Sequence, residues 1–357
     1  MRPDEILIID RDTVERCLAK QDPVALVESM LHHHAAGGTV LPAEGYLAWR
    51  NGVGAYTRAI AMLGGSDTSS GRTYGMKLIN ASVSNPGLGI ERAGGFTVLF
   101  DPETARPTAL VEAGFISAER TAAYTMSTLR VLGPAGFDEV SIVGCGTIAR
   151  AHVRLLHRYF GAVRRIHVHD IDPERARRFA SDVTGRFPEY TVDIHPDVHS
   201  CVSASQVLVT LTVSDEPYIE AGSLRPGTFV AHVSLDDLRP EVFEHAQAVY
   251  VDDLGLVCDN PRRILGALIR DGRVAVPGTS DAPGSGPGRA ITGAYGDVLR
   301  GALPAVRPDD GFVVSNPFGM AVADVVMGRA VADLARAEGL GVMVDLLGAA
   351  TRAGGAA

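Results

Sequence analysis

The stretch SIVGCGTIARAH (residues 141–152) decides the fold of this chain. Its first residues form an apolar strand pattern, Gly144 and Gly146 follow in a turn, and a helical pattern comes next. Together with Ala149 these glycines have the spacing GxGxxA, which begins a dinucleotide-binding unit. The first glycine permits the tight turn, the second lets a pyrophosphate approach the backbone, and the small third residue lets the helix pack on the strand.

The next strand pattern, RIHVHDID (165–172), indicates which dinucleotide binds. An acidic residue at the end of this strand binds the ribose hydroxyls of NAD and repels the 2′-phosphate of NADP. Asp170 is the first candidate for this role and Asp172 the second. The helix that begins at Thr147 and Ile148 offers N–H groups to the pyrophosphate. The sequence therefore predicts NAD as the cofactor.

Two different patterns divide the chain. From about residue 138 strands alternate with helices, which predicts a doubly wound parallel sheet with right-handed crossovers. The region before it has two helical stretches and then strands separated by turn residues, so we expect an α+β domain with its own sheet. The stretch 276–289 is rich in Gly, Pro and Ser and is predicted as a loop, and a strong helix is predicted over 316–339.

Composition limits the classes of function. The 357 residues include 46% hydrophobic and 21% charged residues, which is usual for a soluble globular protein. The net charge of −9 and the lack of a basic run argue against a nucleic-acid partner. No apolar segment is long enough to span a membrane, and the charged N-terminal stretch does not resemble a signal peptide. We therefore expect a cytoplasmic protein.

A metal site or a disulfide framework is not expected either. The four cysteines lie far apart and form no CxxC pair. The triple histidine at 32–34 lies in a helical stretch, where consecutive side chains point to different faces and do not converge on one ion. We expect these histidines to lie at a solvated helix end.

Basic residues of the first domain are candidates for substrate binding. Lys77 lies among apolar residues in the predicted strand YGMKLIN (74–80), where it either binds a carboxylate or acts as an acid or base, or else faces solvent. Arginines suit carboxylates because their guanidinium groups donate two parallel hydrogen bonds. The candidates are Arg50, Arg58, Arg92 and Arg120, for which surface salt bridging is the alternative.

Polar residues also follow two strands of the predicted parallel sheet, whose carboxyl ends face the ligand. Thr210 and Thr212 either contact the cofactor or are hydroxyls at the edge of the core. In VSLDDLRPE (233–241), Asp236 and Asp237 are candidates for a general base. The alternative is that they cap the helix that follows.

Several stretches resemble the ornithine cyclodeaminase/μ-crystallin superfamily over nearly the whole chain. They are GMKLIN (75–80), NPGLGIERAGGFTVLFDPETARP (85–107), LVEAGFISAERTAAYTMSTL (110–129), SIVGCGTIARAH (141–152) and NPFGMAVADVV (316–326). Within the superfamily the chain is most similar to the siderophore-type 2,3-diaminopropionate biosynthesis dehydrogenases. The resemblance implies a Rossmann-type domain at residues 131–312. It implies a substrate-binding and dimerisation domain made of residues 1–130 and 313–357, and hence a homodimer.

The resemblance also implies a reaction. Enzymes of this type use NAD to oxidise N-(1-amino-1-carboxy-2-ethyl)-L-glutamate, and water then releases 2-oxoglutarate and L-2,3-diaminopropionate for a siderophore or peptide antibiotic. Lys77 matches the family's active-site lysine and Arg120 its carboxylate-binding arginine. Asp237 falls near the catalytic acid, with Asp236 as the alternative. The motif NPFG adds Phe318 and Gly319 to the cofactor contacts.

One departure concerns substrate binding. Relatives carry an arginine in a YLRW-like strand, whereas this chain has Ala48 there and Arg50 nearby. Either Arg50 substitutes or one carboxylate contact is missing. The other activities to weigh are ornithine cyclodeaminase, a ketimine or imino-acid reductase, and a non-catalytic binding protein like μ-crystallin. The chain lacks the Gly-Asp-Cys-Pro-Gly-Lys-like segment of the cyclodeaminases, which counts against the first of these.

Overall fold

The computed structural model describes residues 5–68, 71–277 and 290–346. The strands, in chain order, are β1 (Glu5–Ile9), β2 (Thr39–Val40), β3 (Gly45–Arg50), β4 (Tyr56–Thr68), β5 (Gly71–Ser82), β6 (Ala93–Phe100), β7 (Pro107–Glu112), β8 (Glu139–Val143), β9 (Arg165–His169), β10 (Thr191–Ile194), β11 (Val207–Thr210), β12 (Thr228–His232), β13 (Ala248–Val251), β14 (Gly293–Ala294), β15 (Phe312–Asn316) and β16 (Val342–Asp345). The α-helices are α1 (Arg11–Ala19), α2 (Pro23–Ala35), α3 (Ala113–Leu132), α4 (Thr147–Tyr159), α5 (Pro173–Arg186), α6 (Val198–Val202), α7 (Pro240–His245), α8 (Leu254–Cys258), α9 (Ile264–Arg270), α10 (Tyr295–Leu299) and α11 (Ala321–Ala337).

The chain divides into two compact units. Unit 1 contains the residues up to Arg120 and those from Met320 onward, and unit 2 extends from Thr121 to Gly319. The boundaries expected from the sequence were 130/131 and 312/313, so both lie within ten residues of those in the structure. Strand β15 accounts for the second difference, because it pairs with β12 and β13 in unit 2.

Unit 1 is built on a mostly antiparallel sheet with the strand order β16-β1-β7-β6-β5-β4-β2, and β3 also pairs with β4. Helix α11 packs on β4, β5 and β6, and α1 and α2 pack beside it. Gly64 permits this close approach, because a Cβ atom there would lie 2.8 Å from the backbone nitrogen of Val322. The sheet thus has one face covered by helices, with buried side chains of β5 and β6 facing α11.

The other face of this sheet is apolar and partly exposed. Strand register aligns one row of apolar residues across six strands, consisting of Val342, Ile8, Leu110, Val98, Met76 and Leu63. Leu47 and Phe96 lie on the same face and are 64% and 49% exposed. A contiguous apolar surface of this kind indicates an interaction site.

Unit 2 contains a sheet of eight described strands in the order β10-β9-β8-β11-β12-β15-β13-β14, and every pairing in it is parallel. Its strands are almost continuously buried, as expected for a sheet covered on both faces. The strand order reverses between β8 and β11, which is the switch point where ligands bind in doubly wound sheets. The predicted fold class, a Rossmann-type sheet with an α+β domain, is confirmed.

One predicted helix begins at a different residue in the structure. The late helix, predicted from residue 316, begins at Ala321 because Asn316 ends β15 and Pro317 disfavours a helical conformation at the residue before it. The predicted loop at 276–289 lies outside the described residues from position 278 onward. The triple histidine does occupy the last turn of α2, as expected.

Candidate active site

The glycine turn between β8 and α4 has the geometry that a dinucleotide requires. Gly144 has φ +98° and a Cβ atom there would lie 2.8 Å from the backbone of Leu211, so a larger residue is strained and obstructed. Gly146 caps α4 without a side-chain hydrogen bond, and a Cβ atom there would meet nothing within 4 Å. This side of the turn is therefore open to a pyrophosphate. The N–H groups of the first helical turn belong to Thr147, Ile148 and the next residue.

Asp170 lies directly after β9 with its carboxylate against the glycine turn. Its Oδ2 accepts a hydrogen bond from the N–H of Cys145 at 2.8 Å, and its Oδ1 accepts one from the N–H of Asp172 at 2.9 Å. The guanidinium of Arg175 lies 3.4 Å from Oδ1. Ile171 beside it is almost fully exposed and offers apolar surface to a base. These residues fit the adenosine part of NAD, and Asp172 instead caps α5.

Asp237 is surrounded by hydroxyl groups in unit 2. Thr212 Oγ1 donates to Asp237 Oδ1 at 2.5 Å, and the hydroxyl of Ser234 also bonds to this carboxylate. Ser234 Oγ lies 2.7 Å from Thr210 Oγ1, so both predicted threonines belong to one network with Asp237. Burial raises the pKa of Asp237, although these hydroxyls counteract the shift. A buried carboxyl group with a raised pKa is suited to proton transfer.

The two neighbouring aspartates have different partners. Asp236 is bound by the guanidinium of Arg263 and by the N–H of Ile264 at 3.3 Å. Helix α7 begins at Pro240 after Arg239, and its first turn has no side-chain cap, so neither aspartate caps the helix that follows it. Asp236 instead accepts from the first N–H of α9. Since Arg263 engages the carboxylate of Asp236, whereas hydroxyl groups surround that of Asp237, Asp237 is the better candidate for an acid or base.

Phe318 and Gly319 are held by a carboxylate. Their N–H groups donate to Asp252 Oδ1 at 2.9 Å and to Asp252 Oδ2 at 2.6 Å. Asp252 follows β13 and is buried, and burial raises its pKa. The backbone of the NPFG stretch is thereby fixed at the carboxyl end of the sheet, where the cofactor contacts are predicted.

Lys77 is buried in unit 1 beside a carboxylate. It is 2% exposed and its Nζ donates to Asp324 Oδ2 at 2.9 Å. Arg120 Nε lies 3.2 Å from the same oxygen, so one carboxylate oxygen faces two cations. Burial lowers the pKa of Lys77 to about 8, although Asp324 opposes the shift. The solvent-facing alternative for Lys77 is wrong.

Three buried polar atoms in this cluster have no hydrogen-bond partner among the described residues. They are Asp324 Oδ1, Nε of Arg120, which lies in the ion pair but makes no hydrogen bond, and Oγ1 of Thr97, which pairs with Lys77 across β5 and β6. Buried polar groups are nearly always paired in native proteins, so unpaired ones require a partner of their own. Asp324 Oδ1 can only accept, so together with the net positive charge of Lys77, Arg120 and Asp324 these atoms suit a ligand that carries both a hydrogen-bond donor and a negative charge.

Two of the other arginines lie near each other. Burial lowers the pKa of Arg92, and the positive charge of Arg58 lowers it further. In the sheet, Ala48 pairs directly with Arg58, so the position that carries an arginine in relatives lies beside this pair. Arg50 is exposed and its Nη1 donates to the carbonyl of Gly54 at 2.9 Å, so its guanidinium is engaged within its own hairpin.

Sequence patterns did not single out several residues of these networks. Asp324 is 247 positions from Lys77, and His232 is 84 positions from its partner Asn316. Their only sequence signal is polarity among apolar neighbours: Asp324 lies in the first turn of α11 and is fully buried.

The described residues contain neither a metal site nor a membrane-spanning helix. Within residues 5–68, 71–277 and 290–346, no three His, Cys, Asp or Glu side chains are grouped in a way that could hold a metal ion. Over the same ranges, every helix is too short or too polar to cross a membrane.

Comparison with known proteins gives matches along nearly the whole chain. The N-((2S)-2-amino-2-carboxyethyl)-L-glutamate dehydrogenase of Staphylococcus aureus (strain NCTC 8325 / PS 47) is 31% identical over 96% of this chain and 99% of its own length. The crystal structure of CmnK is 55% identical and has a TM-score of 0.89, covering 97% of this chain and all of CmnK.

A more distant structure has the same fold. An archaeal alanine dehydrogenase dimer with bound NAD is 23% identical, with a TM-score of 0.79 over 96% of this chain and 99% of its own. The profile of the ornithine cyclodeaminase/mu-crystallin family matches residues 6–339. This chain belongs to the ornithine cyclodeaminase/mu-crystallin family.

Proposed function

We propose that this protein is an NAD-dependent dehydrogenase that cleaves N-(1-amino-1-carboxy-2-ethyl)-L-glutamate oxidatively. The products are L-2,3-diaminopropionate and 2-oxoglutarate, which serve the biosynthesis of a siderophore or peptide antibiotic. The observation that carries this proposal is the buried cluster of Lys77, Arg120 and Asp324, in a chain that is 31% identical to a dehydrogenase named for the same substrate.

The positive charges of unit 1 match the negative charges of the proposed substrate. The substrate has three carboxylates, and unit 1 supplies Lys77, Arg120, Arg58 and Arg92 as cations. Arg58 and Arg92 lie close enough for one to lower the pKa of the other, and an anion between them would relieve their repulsion. Arg50 is proposed as an outer contact at most, because its guanidinium is bound to the hairpin backbone.

The glycine turn supports the binding of NAD. The open side of Gly146 and the first turn of α4 would hold the pyrophosphate of NAD, and Asp170 would hold the ribose hydroxyls. NAD, when bound, accepts the hydride from the α-carbon of the glutamate half. Phe318, Gly319, Thr210 and Thr212 are held in place by Asp252 and Asp237 and would line this side of the site.

Two residues, Asp237 and Lys77, are assigned roles in the reaction. Asp237 would take the proton from the substrate amine or activate the water that completes the cleavage, since hydroxyl groups rather than cations surround its carboxylate. Lys77 would hold a substrate carboxylate or polarise the carbinolamine. Overall, substrate, NAD and water give diaminopropionate, 2-oxoglutarate, NADH and a proton.

We further propose a cytoplasmic homodimer formed through the exposed apolar face of the unit 1 sheet. A second copy of the chain is the occupant favoured by the family resemblance, because relatives dimerise through this domain. The uncharged row from Val342 to Leu63 supports burial of this face against an apolar surface. Light scattering of the purified protein would give the mass of the assembly.

Changing Asp170 to serine is expected to reverse the cofactor preference. Serine removes the carboxylate that repels a 2′-phosphate and leaves Arg175 to bind one. We expect NAD affinity to fall and NADP affinity to rise, each by about tenfold or more. Calorimetric titration of both cofactors into both proteins measures this. Unchanged preference would remove Asp170 from the ribose site.

The decisive experiment follows NADH absorbance with NAD and N-(1-amino-1-carboxy-2-ethyl)-L-glutamate. L-ornithine and L-alanine are assayed beside it, and products are identified by mass spectrometry. Turnover of the first compound alone, with 2-oxoglutarate formed, is the expected result. Proline formed from ornithine without net NADH would instead establish a cyclodeaminase. If none of the three compounds reacts while the cofactor still binds, the proposed substrate is wrong.

A further inference from the structure

The backbone of Asp237 is bound to a buried histidine. The N–H group of Asp237 donates to Nε2 of His232 at 3.1 Å, and Nδ1 of the same ring lies 2.7 Å from Oδ1 of Asn316. A backbone N–H can only donate, so Nε2 must be unprotonated. The ring proton therefore lies on Nδ1 and is donated to Asn316. This arrangement defines both the charge and the tautomer of His232.

The loop that this contact closes is strained. Between His232 and Asp237 the chain passes through Leu235, which has φ +75°. A leucine rarely adopts this left-handed conformation and does so where the surrounding structure holds it. The carbonyl of Asp237 also accepts from the N–H groups of Tyr218 and Ile219, at 3.0 and 2.9 Å. Of these contacts to the Asp237 backbone, the one to His232 is lost when Nε2 of the ring becomes protonated.

We propose that His232, held by Asn316 as the neutral Nδ1–H tautomer, is a positioning residue for Asp237. The proposal rests on the proposed function, in which the carboxylate of Asp237 transfers a proton. A cationic ring or the opposite tautomer would present an N–H group to the N–H of Asp237. The loop would then relax, and the carboxylate would lose its fixed position.

The surroundings of His232 favour the neutral ring. It is fully buried between the ends of β12 and β15, and its ring centre lies 5.7 Å from that of Phe243. Its pKa is lowered to about 4, mainly by burial and in smaller part by the charge of Arg263, whereas Asn316 and Asp236 oppose the shift. The ring is therefore neutral across the physiological range of pH.

Changing Asn316 to aspartate tests the proposal, because a carboxylate beside Nδ1 raises the pKa of His232 and favours the cationic ring. Near neutral pH we expect kcat/KM to fall by about tenfold or more, with part of the loss recovered as the pH rises. Asn316→Ala adds no charge, so its pH profile should keep the shape of the unchanged protein's. Equal pH profiles for the Asp and Ala variants would overturn the proposal.

Two measurements do not require turnover. Nitrogen NMR shifts of the histidines, with His232 assigned from a His232→Gln variant, should show a neutral Nδ1–H ring from pH 5 to pH 8. Hydrogen exchange of the peptide that contains Asp237 should be faster in Asn316→Asp. The control is His245→Gln at an exposed histidine, in which the NMR signals of His232 and the hydrogen exchange of the Asp237 peptide should stay unchanged. A cationic ring, the other tautomer or unchanged exchange would contradict the proposal even if the substrate assignment fails.

Discussion

Replacing Lys77 with methionine is expected to lower kcat/KM for the amino-acid substrate by about a thousandfold or more, with NAD binding unchanged. Methionine fills the same unbranched volume but has neither a charge nor a proton to transfer. Its apolar tip also leaves the carboxylate of Asp324 with Arg120 as its remaining cation. Losses of this size are typical when a group that acts on the reacting atoms is removed.

The composition of the chain gives a control for this variant. Lys20 and Lys77 are its two lysines, and Lys20 is an exposed residue whose ammonium pairs with Glu338. Lys20→Met should therefore leave kcat/KM within about twofold of the original value. Steady-state kinetics gives the rates, and calorimetric titration of NAD shows whether the cofactor site is intact. If Lys77→Met retained most of the activity, Lys77 would have no place in the chemistry.

Replacing Asp324 with asparagine is expected to shift the pKa of Lys77 further below about 8. Asp324 raises this pKa against the effect of burial, so its loss lowers the pKa, and the protonated fraction of Lys77 near neutral pH falls. The limb of the pH–rate profile that reports Lys77 should move to lower pH by about one unit or more. We also expect kcat/KM to fall by about a hundredfold, because two cations lose their shared anchor.

A single-lysine protein allows a direct measurement. In a Lys20→Arg background, isotope-labelled lysine gives one side-chain NMR signal, and its titration reports the pKa of Lys77 with and without Asp324→Asn. The matched control is Asp333→Asn on the same helix, because Asp333 is exposed and pairs with Arg329 instead. An unchanged pKa in Asp324→Asn would show that the carboxylate does not control the amine.

The sequence predicts local features well where one pattern has one physical cause. The glycine spacing at 144–149 and the alternation of strands and helices gave the parallel sheet, and Asp170 follows its strand as the fold requires. Lys77 was singled out because an amine among apolar residues needs a reason to be there. Its solvent-facing alternative could be rejected only when the buried pair with Asp324 was seen.

Long-range partners could not be predicted in this way. A carboxylate on α11 meets Lys77 because Gly64 lets the helix lie against the sheet, and no local pattern encodes that register. Similarly, Asp236 and Asp237 are adjacent and alike in sequence, and only their partners, Arg263 and the hydroxyl network, distinguish them. The roles proposed for these residues remain predictions.

The discontinuity of unit 1 has a consequence for synthesis on the ribosome. The sheet strands from β1 to β7 emerge first, unit 2 follows as one uninterrupted segment, and α11 and β16 emerge after it. Until then the helix-facing side of the first sheet is incompletely covered, and Asp324 is not yet beside Lys77. Unit 2 can fold as a continuous chain during this interval, since domains generally fold as units. Lys77 therefore reaches its final buried environment only after the nearly two hundred residues of unit 2 have been translated.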